Sequence, residues 1–273
     1  MTTGSAESAA RAVDDHPAMD HVARVGLVAF GVVHLVTGWL ALRLAFGDPG
    51  GEADSSGAVR ELAQQPFGEA IVWAVGLGMI LLAGWQVLEA AVGHRRDDGV
   101  KRLRKRLASV GKAVVYGAIA ASALKVVAGS GSSSKKDGTT SASATLLDLP
   151  LGQLIVGLVA LGIAAVGVYL VYKGATERFL KDIEAGGASG RVGSAYVWLG
   201  KCGYIAKGVA ILGVAALFGY AAATHEPDKS GGIDEALRTV LDQPFGAVAT
   251  GLVGAGFIAF GLFCFAWARH IDR

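Results

Sequence analysis

Charge is scarce in this chain: 18% of its 273 residues are Asp, Glu, Lys or Arg, against 52% hydrophobic residues. A soluble domain carries about 25% charged residues, so this poverty excludes one. Cysteine is scarcer still, with Cys202 and Cys264 alone, both near the cytoplasmic ends of apolar runs, so no disulfide framework is expected. The spacings that mark catalysis are missing: there is no G-x-S-x-G elbow, P-loop, HExxH or CxxC. The chain therefore reads as a non-enzyme without a cofactor. Residues 1–20 hold no apolar h-region, so they read as a disordered cytoplasmic tail, not a signal peptide.

What is present is long apolar runs, near residues 25–46, 69–92, 110–128, 151–172, 203–223 and 246–268. Each approaches the roughly 20 residues that carry a helix across the hydrocarbon core. The expected fold class is an all-α membrane protein with six transmembrane helices. The third run is the weakest, "AVVYGAIAASAL" between Lys112 and Lys125, whose long side chains can still reach the headgroups. Most of the 25 Lys and Arg residues lie in the tail, in the loops near 94–112 and 173–201, and at the C-terminus. The intervening loops are acidic. By the positive-inside rule both termini are cytoplasmic. The block "HRRDDGVKRLRKRLASVGK" then touches anionic lipid headgroups, with the bilayer as its partner and not nucleic acid.

The runs are one unit written three times. Pro66-Phe67-Gly68, Pro150-Leu151-Gly152 and Pro244-Phe245-Gly246 head the even-numbered spans, preceded by "QQ" in the first and "DQ" in the third. Small residues follow at five-residue steps, as Gly152, Gly157, Gly162 and Gly167, and as Gly246, Gly251, Gly256 and Gly261. The odd spans share Gly26, Gly111 and Gly203. This divides the chain into the tail and hairpin repeats at 21–94, 107–181 and 195–273, expected to close into a pseudo-threefold bundle. The five-residue step spreads the glycines over several faces, so each even helix is expected to touch more than one neighbour. Proline at the first turn, an interfacial aromatic and a small residue make "QPFG" a hinge where an outer helix turns into the membrane.

Outside the membrane, Ile233, Ala236, Leu237, Val240 and Leu241 form the stripe of a short amphipathic helix, matched by Ala58, Val59, Leu62 and Ala63. Both are expected to lie on the outer surface with the apolar side down. The second copy has "GSGSSSKKDGTTSASAT" there, a flexible stretch keeping Leu146 and Leu147. His34 is the one ionisable residue read near the middle of a span, with Lys125, Lys207 and Arg43 reaching headgroups. A haem, a metal or a proton relay is one reading of His34; a histidine hydrogen-bonded within the bundle is the simpler one. "THEPDKSGG" offers His225, Glu226 and Asp228, yet reads as a turn.

"RVGLVAFGVVHLVTGWLAL", the QPFG pair, "GVYLVYKGATERFL" and "THEPDKSGGIDEALRTVLDQPFG…GLFCFAWARHIDR" resemble the actinobacterial membrane proteins grouped as domain of unknown function 1206. That resemblance covers about residues 20–273 and implies three copies of a two-span unit in a bacterial inner membrane; it implies no activity. The expected function is a structural or accessory component of a membrane or envelope system, with a membrane-protein partner. A small permease or channel along the threefold axis is the alternative, and a haem- or quinone-associated protein built on His34 the second.

Overall fold

The computed structural model describes residues 17–48, 50–93, 99–128, 140, 143–182 and 190–270, and every regular element among them is helical. Six of these helices are long and apolar enough to cross a membrane: α1 (Pro17–Ala45), α3 (Gly68–Val92), α4 (Gly99–Val127), α5 (Gly152–Ala175), α6 (Gly190–Thr224) and α8 (Gly246–Arg269). Two short helices, α2 (Ser55–Ala63) and α7 (Ile233–Leu241), join the long helices of the first and third repeats. The end of the bundle that holds them is called the hairpin face, and the opposite end the terminal face.

Three boundaries differ from expectation. Helix α1 starts at Pro17, inside the predicted tail, and residues 1–16 lie outside the described residues. The supposed loops near 94–112 and 173–201 are helical from Gly99 and from Gly190. Lys, Arg and Leu, which fill residues 101–107, are good helix formers, so the helix of the third span extends back through them. Arg106 uses that continuation to donate from Nη2 to the Ala91 carbonyl at 2.9 Å, satisfying one of the open carbonyls at the end of α3. In the second repeat, residues 143–147 of the stretch read as flexible form a helical turn, with Leu147 buried against Val156 and Ala222.

Glycines set the helix spacing. A Cβ added to Gly38 would stand 2.6 Å from the Gly254 carbonyl oxygen, and one added to Gly31 would stand 3.0 Å from that of Gly261. Gly254 and Gly261 face the Gly38 and Gly31 carbonyls in return, so α1 and α8 approach backbone to backbone. The two glycines of each helix are about two turns apart and share a face. Helices α5 and α6 use the same device, with Gly167 and Gly208 each against the other's carbonyl and Gly174 against that of Lys201. Gly256 packs on Ala206 and Gly203 on Phe260, joining α6 to α8. The five-residue pattern is thus only partly used. Gly251 meets Ala45 at an ordinary 3.7 Å, and Gly157 and Gly162 meet nothing within 4 Å, because their steps turn them away from α6.

Neighbouring helices run in the order α4, α3, α1, α8, α6, α5. This is the ring that three hairpins dictate, but among the described residues it is open between α4 and α5, the two helices of the second repeat, which share no extended packing. The short helices also sit differently from expectation. Ala58, Val59 and Leu62 of α2 are buried against protein, as are Ala236 and Leu237 of α7, so these stripes cover the ends of the long helices instead of resting on lipid. Asp54 caps α2 by accepting from the amides of Ser56 and Gly57. Across repeats, Asp234 accepts from the Ala53 amide at 2.7 Å and Arg238 donates to the Gly51 carbonyl at 2.9 Å, which laces the third repeat to the first. Arg43, at the end of α1, is paired with Asp48 at 2.7 Å.

Leucine at Gly38 has backbone in its way, whereas leucine at Gly162 has open space. We expect Gly38→Leu to lower stability by about 2 kcal/mol or more and Gly162→Leu by less than about 0.5 kcal/mol, read from unfolding of the purified protein in mixed micelles.

Candidate functional site

Two places in this fold carry unusual chemistry: the repeated turn at the hairpin face and a polar cluster inside the bundle. In the turn, Gly68 donates to the Gln65 carbonyl at 2.7 Å, Gly152 to that of Leu149 at 2.8 Å and Gly246 to that of Gln243 at 2.8 Å. Phe67, Leu151 and Phe245 are left-handed, at φ 62°, 64° and 63°. Pro66, Pro150 and Pro244 therefore precede the left-handed residue of a type II turn. They are not in the first helical turn, as the sequence suggested; the long helix starts at the glycine and its cap is the aromatic or leucine. The glycine role differs as well. A Cβ at Gly68 would collide with the Ala63 carbonyl, at Gly152 with those of Leu146 and Leu147, and at Gly246 with that of Val240. The glycine lets the chain double back over the end of the preceding short helix, not over a neighbouring membrane helix.

Left-handed geometry costs a non-glycine residue about 1–2 kcal/mol. Phe67 and Phe245 nonetheless stand 88% and 86% exposed from the protein, where the surrounding membrane can take the ring. Burying a phenylalanine there returns roughly 1.5–3 kcal/mol, enough to offset the strain. The turn is a structural device, and its three copies do the same thing.

The polar cluster is different in kind. His34 is buried, with its ring 4.2 Å from that of Phe30, 4.8 Å from Phe260 and 6.0 Å from Phe257. Its Nδ1 lies 2.8 Å from the Phe30 carbonyl, which can only accept, so Nδ1 carries the hydrogen. Its Nε2 lies 3.1 Å from Lys207 Nζ and, in the neutral ring, accepts from it. Lys207 stands midway along α6, not at its end. Its ammonium is 4.6 Å from the centre of the Phe30 ring and 4.4 Å from that of Phe260, a cation held against two aromatic faces.

The expectation that Lys207 snorkels, and that His34 is alone at mid-membrane, is therefore overturned. The Lys207 side chain reaches across to His34, the residue read at the middle of its span, instead of toward the headgroups. A signal was available: aligned on Gly26, Gly111 and Gly203, Lys207 fills the slot of Phe30 and Val115, so one copy has a charge where the others are apolar.

Tyr116 of α4 packs edge-on to Phe30 at 5.3 Å, and Cys264 of α8 is fully buried, within electrostatic range of both Tyr116 and Lys207. Toward the terminal face, a 3-10 turn (Arg178–Asp182) following left-handed Glu177 inserts Phe179, whose ring stacks on Tyr204 at 5.4 Å and meets Phe263 at 5.2 Å. Among the described residues no three His, Cys, Asp or Glu side chains gather to hold a metal. His225, Glu226 and Asp228 lie at an exposed 3-10 turn (Pro227–Lys229) on the hairpin face, away from the cluster.

The pattern of the Domain of Unknown Function DUF1206 matches residues 25–93, 107–177 and 202–270. This chain belongs to the DUF1206 family. The three matches fall within the repeats drawn at 21–94, 107–181 and 195–273, and each DUF1206 copy carries one turn and one wall of the cluster: His34 from the first, Tyr116 from the second, Lys207 and Cys264 from the third. "Uncharacterized protein YxxB" of Bacillus subtilis (strain 168) is 29% identical over 248 residues, covering 90% of this chain and 89% of the relative. The similarity thus extends beyond the actinobacterial setting that the resemblance implied. No solved structure matches.

Alanine at Gly246 would meet the Val240 carbonyl, whereas glycine at Phe245 relieves strain while giving up a membrane contact. Gly246→Ala should cost about 2 kcal/mol or more and Phe245→Gly within about 1 kcal/mol, measured by thermal unfolding in detergent.

Proposed function

We propose that this DUF1206 protein is a non-enzymatic component of the bacterial cytoplasmic membrane, with both termini in the cytoplasm, serving as an accessory to another membrane or envelope system. The observation that carries this reading is the close packing of the assembled repeats. Backbone-close glycine contacts tie α1 to α8 and α5 to α6, while the hairpin face is laced between the first and third repeats by Asp234 and Arg238. Such a body suits a fixed binding partner better than a moving carrier. The basic residues of the terminal face support its cytoplasmic placement.

The other two readings lose ground to specific side chains. A channel along the bundle centre would pass through Phe30, Val33, Phe260 and Phe263, all buried and packed together. An axial haem ligand needs a free imidazole nitrogen, and both nitrogens of His34 are engaged, by the Phe30 carbonyl and by Lys207.

Alkaline phosphatase fused after Lys229 should be active in cells and inactive when fused after Arg269; the reverse pattern would invert the topology. A chromosomally tagged chain extracted in mild detergent should bring down one membrane protein in fixed stoichiometry. Recovery of the chain alone at native expression would sink the accessory reading.

A further inference from the structure

We propose that Lys207 and Tyr116, partly exposed at the edge of the packed core, hold the carboxylate of a single-chain lipophilic acid that arrives from the membrane between α4 and α5. The argument starts with charge. Lys207 Nζ donates to His34 Nε2 at 3.1 Å, but a neutral imidazole cannot balance an ammonium. No carboxylate among the described residues reaches it: the contacts of Lys207 are His34, the faces of Phe30 and Phe260, and electrostatic interactions with Cys264 and Lys173. An intramembrane cation is costly and is ordinarily paired within the protein. Here two aromatic faces and one lone pair are all the protein supplies, and Lys173, another cation, lies on the next helix with its Nζ 4.8 Å from the Tyr204 ring.

The second observation is a spare donor on another wall. The Tyr116 ring packs against the same Phe30 ring that Lys207 covers, and its hydroxyl makes no hydrogen bond to any described residue. Lys207 and Tyr116 thus bring an ammonium and an O–H to one aromatic platform. The groups here are donors, and the charge is positive. An acceptor that is anionic fits both facts, and a neutral carbonyl fits only the first.

The third is access. Lys207 is partly exposed although it is central in its helix, and its ammonium crosses from α6 to His34 of α1. Among the described residues, the one place where consecutive long helices lack extended packing is the gap between α4 and α5. The gap faces the membrane, so a ligand reaching it comes from the bilayer and has a hydrocarbon chain. Phe179 blocks the terminal end of the same interior, which favours lateral entry over entry from water.

The test is equilibrium binding of radiolabelled oleate to the purified full-length chain in dodecyl maltoside, with oleyl alcohol and a short-chain menaquinone as competitors. One saturable site per chain is expected, with oleyl alcohol competing about tenfold more weakly or worse, as befits loss of the charged acceptor. Lys207→Met should weaken oleate by about tenfold or more and Lys207→Arg should retain most of it. Tyr116→Phe should weaken it by roughly threefold to tenfold, the worth of one hydrogen bond. Lys207→Met removes a charge from an apolar interior, so its unfolding temperature should not fall, and a folded Lys207→Met that still binds oleate at full strength overturns the proposal. So does oleyl alcohol matching oleate, which would mark adsorption by the chain alone, or the menaquinone displacing it at equal concentration, which would mark a site for neutral carbonyls.

Discussion

The close approach of α1 to α8 is the constraint on which the rest of this molecule depends. Gly31 and Gly38 face Gly261 and Gly254 with no side chain between them, so the first and last membrane helices meet backbone to backbone. Inside a bilayer no hydrophobic drive favours one helix pair over another, and contact area at small residues takes its place. That contact fixes everything near it. It sets His34 against Phe257 and Phe260, and it brings α7 over the end of α1 so that Leu237 packs with Leu40, Ala41, Leu44 and Ala53. The ion pairs and amide bonds of the hairpin face then join segments that are already adjacent.

A tandem triplication would place three equal hairpins around an axis, and the order of helices in the ring keeps that logic. Their environments are unequal. The most hydrophobic window of α1 is 61% buried within the protein and that of α5 only 11%, so the bundle is organised around the first repeat, with the second at its margin. At the corresponding place in the second repeat, residue 140 and residues 143–147 are helical, and residues 141 and 142 lie outside the described residues. In the first repeat α2 packs on α1, α3 and α4; in the third α7 packs on α6, α8 and α1. These short helices hold the two arms of a hairpin together at the hairpin face. Among the described residues the ring is open in the second repeat, between α4 and α5.

The strained turn and the polar cluster show two uses of a repeat. Phe67, Leu151 and Phe245 adopt the same left-handed geometry because each copy must solve the same problem, reversing direction over the end of a short helix. The cluster gains from the copies being different. Equivalent helices bring His34, Tyr116 and Lys207 toward one interior, and a donor, an acceptor and a charge arise from slots that are otherwise apolar.

Much of this was legible in the amino-acid order. Six spans, three copies, the turn at each proline and the amphipathic stripes of α2 and α7 all follow from patterns within about 20 consecutive residues, where hydropathy and periodicity are local properties. The covering of those stripes by protein, the silence of Gly157 and Gly162 beside the tight contacts of Gly167, and the pairing of Lys207 with His34 were not legible. Each depends on which helices become neighbours and at what rotation, and the side chains involved are far apart in the chain. A lysine in an apolar run reads as snorkelling until the partner of its side chain is known. By itself, the sequence determined that this chain crosses a membrane as three hairpins, because burying an apolar helix in lipid needs no partner. The tertiary structure alone decided where the ring opens and which polar groups meet inside it, because those follow from the close fit of particular glycine faces.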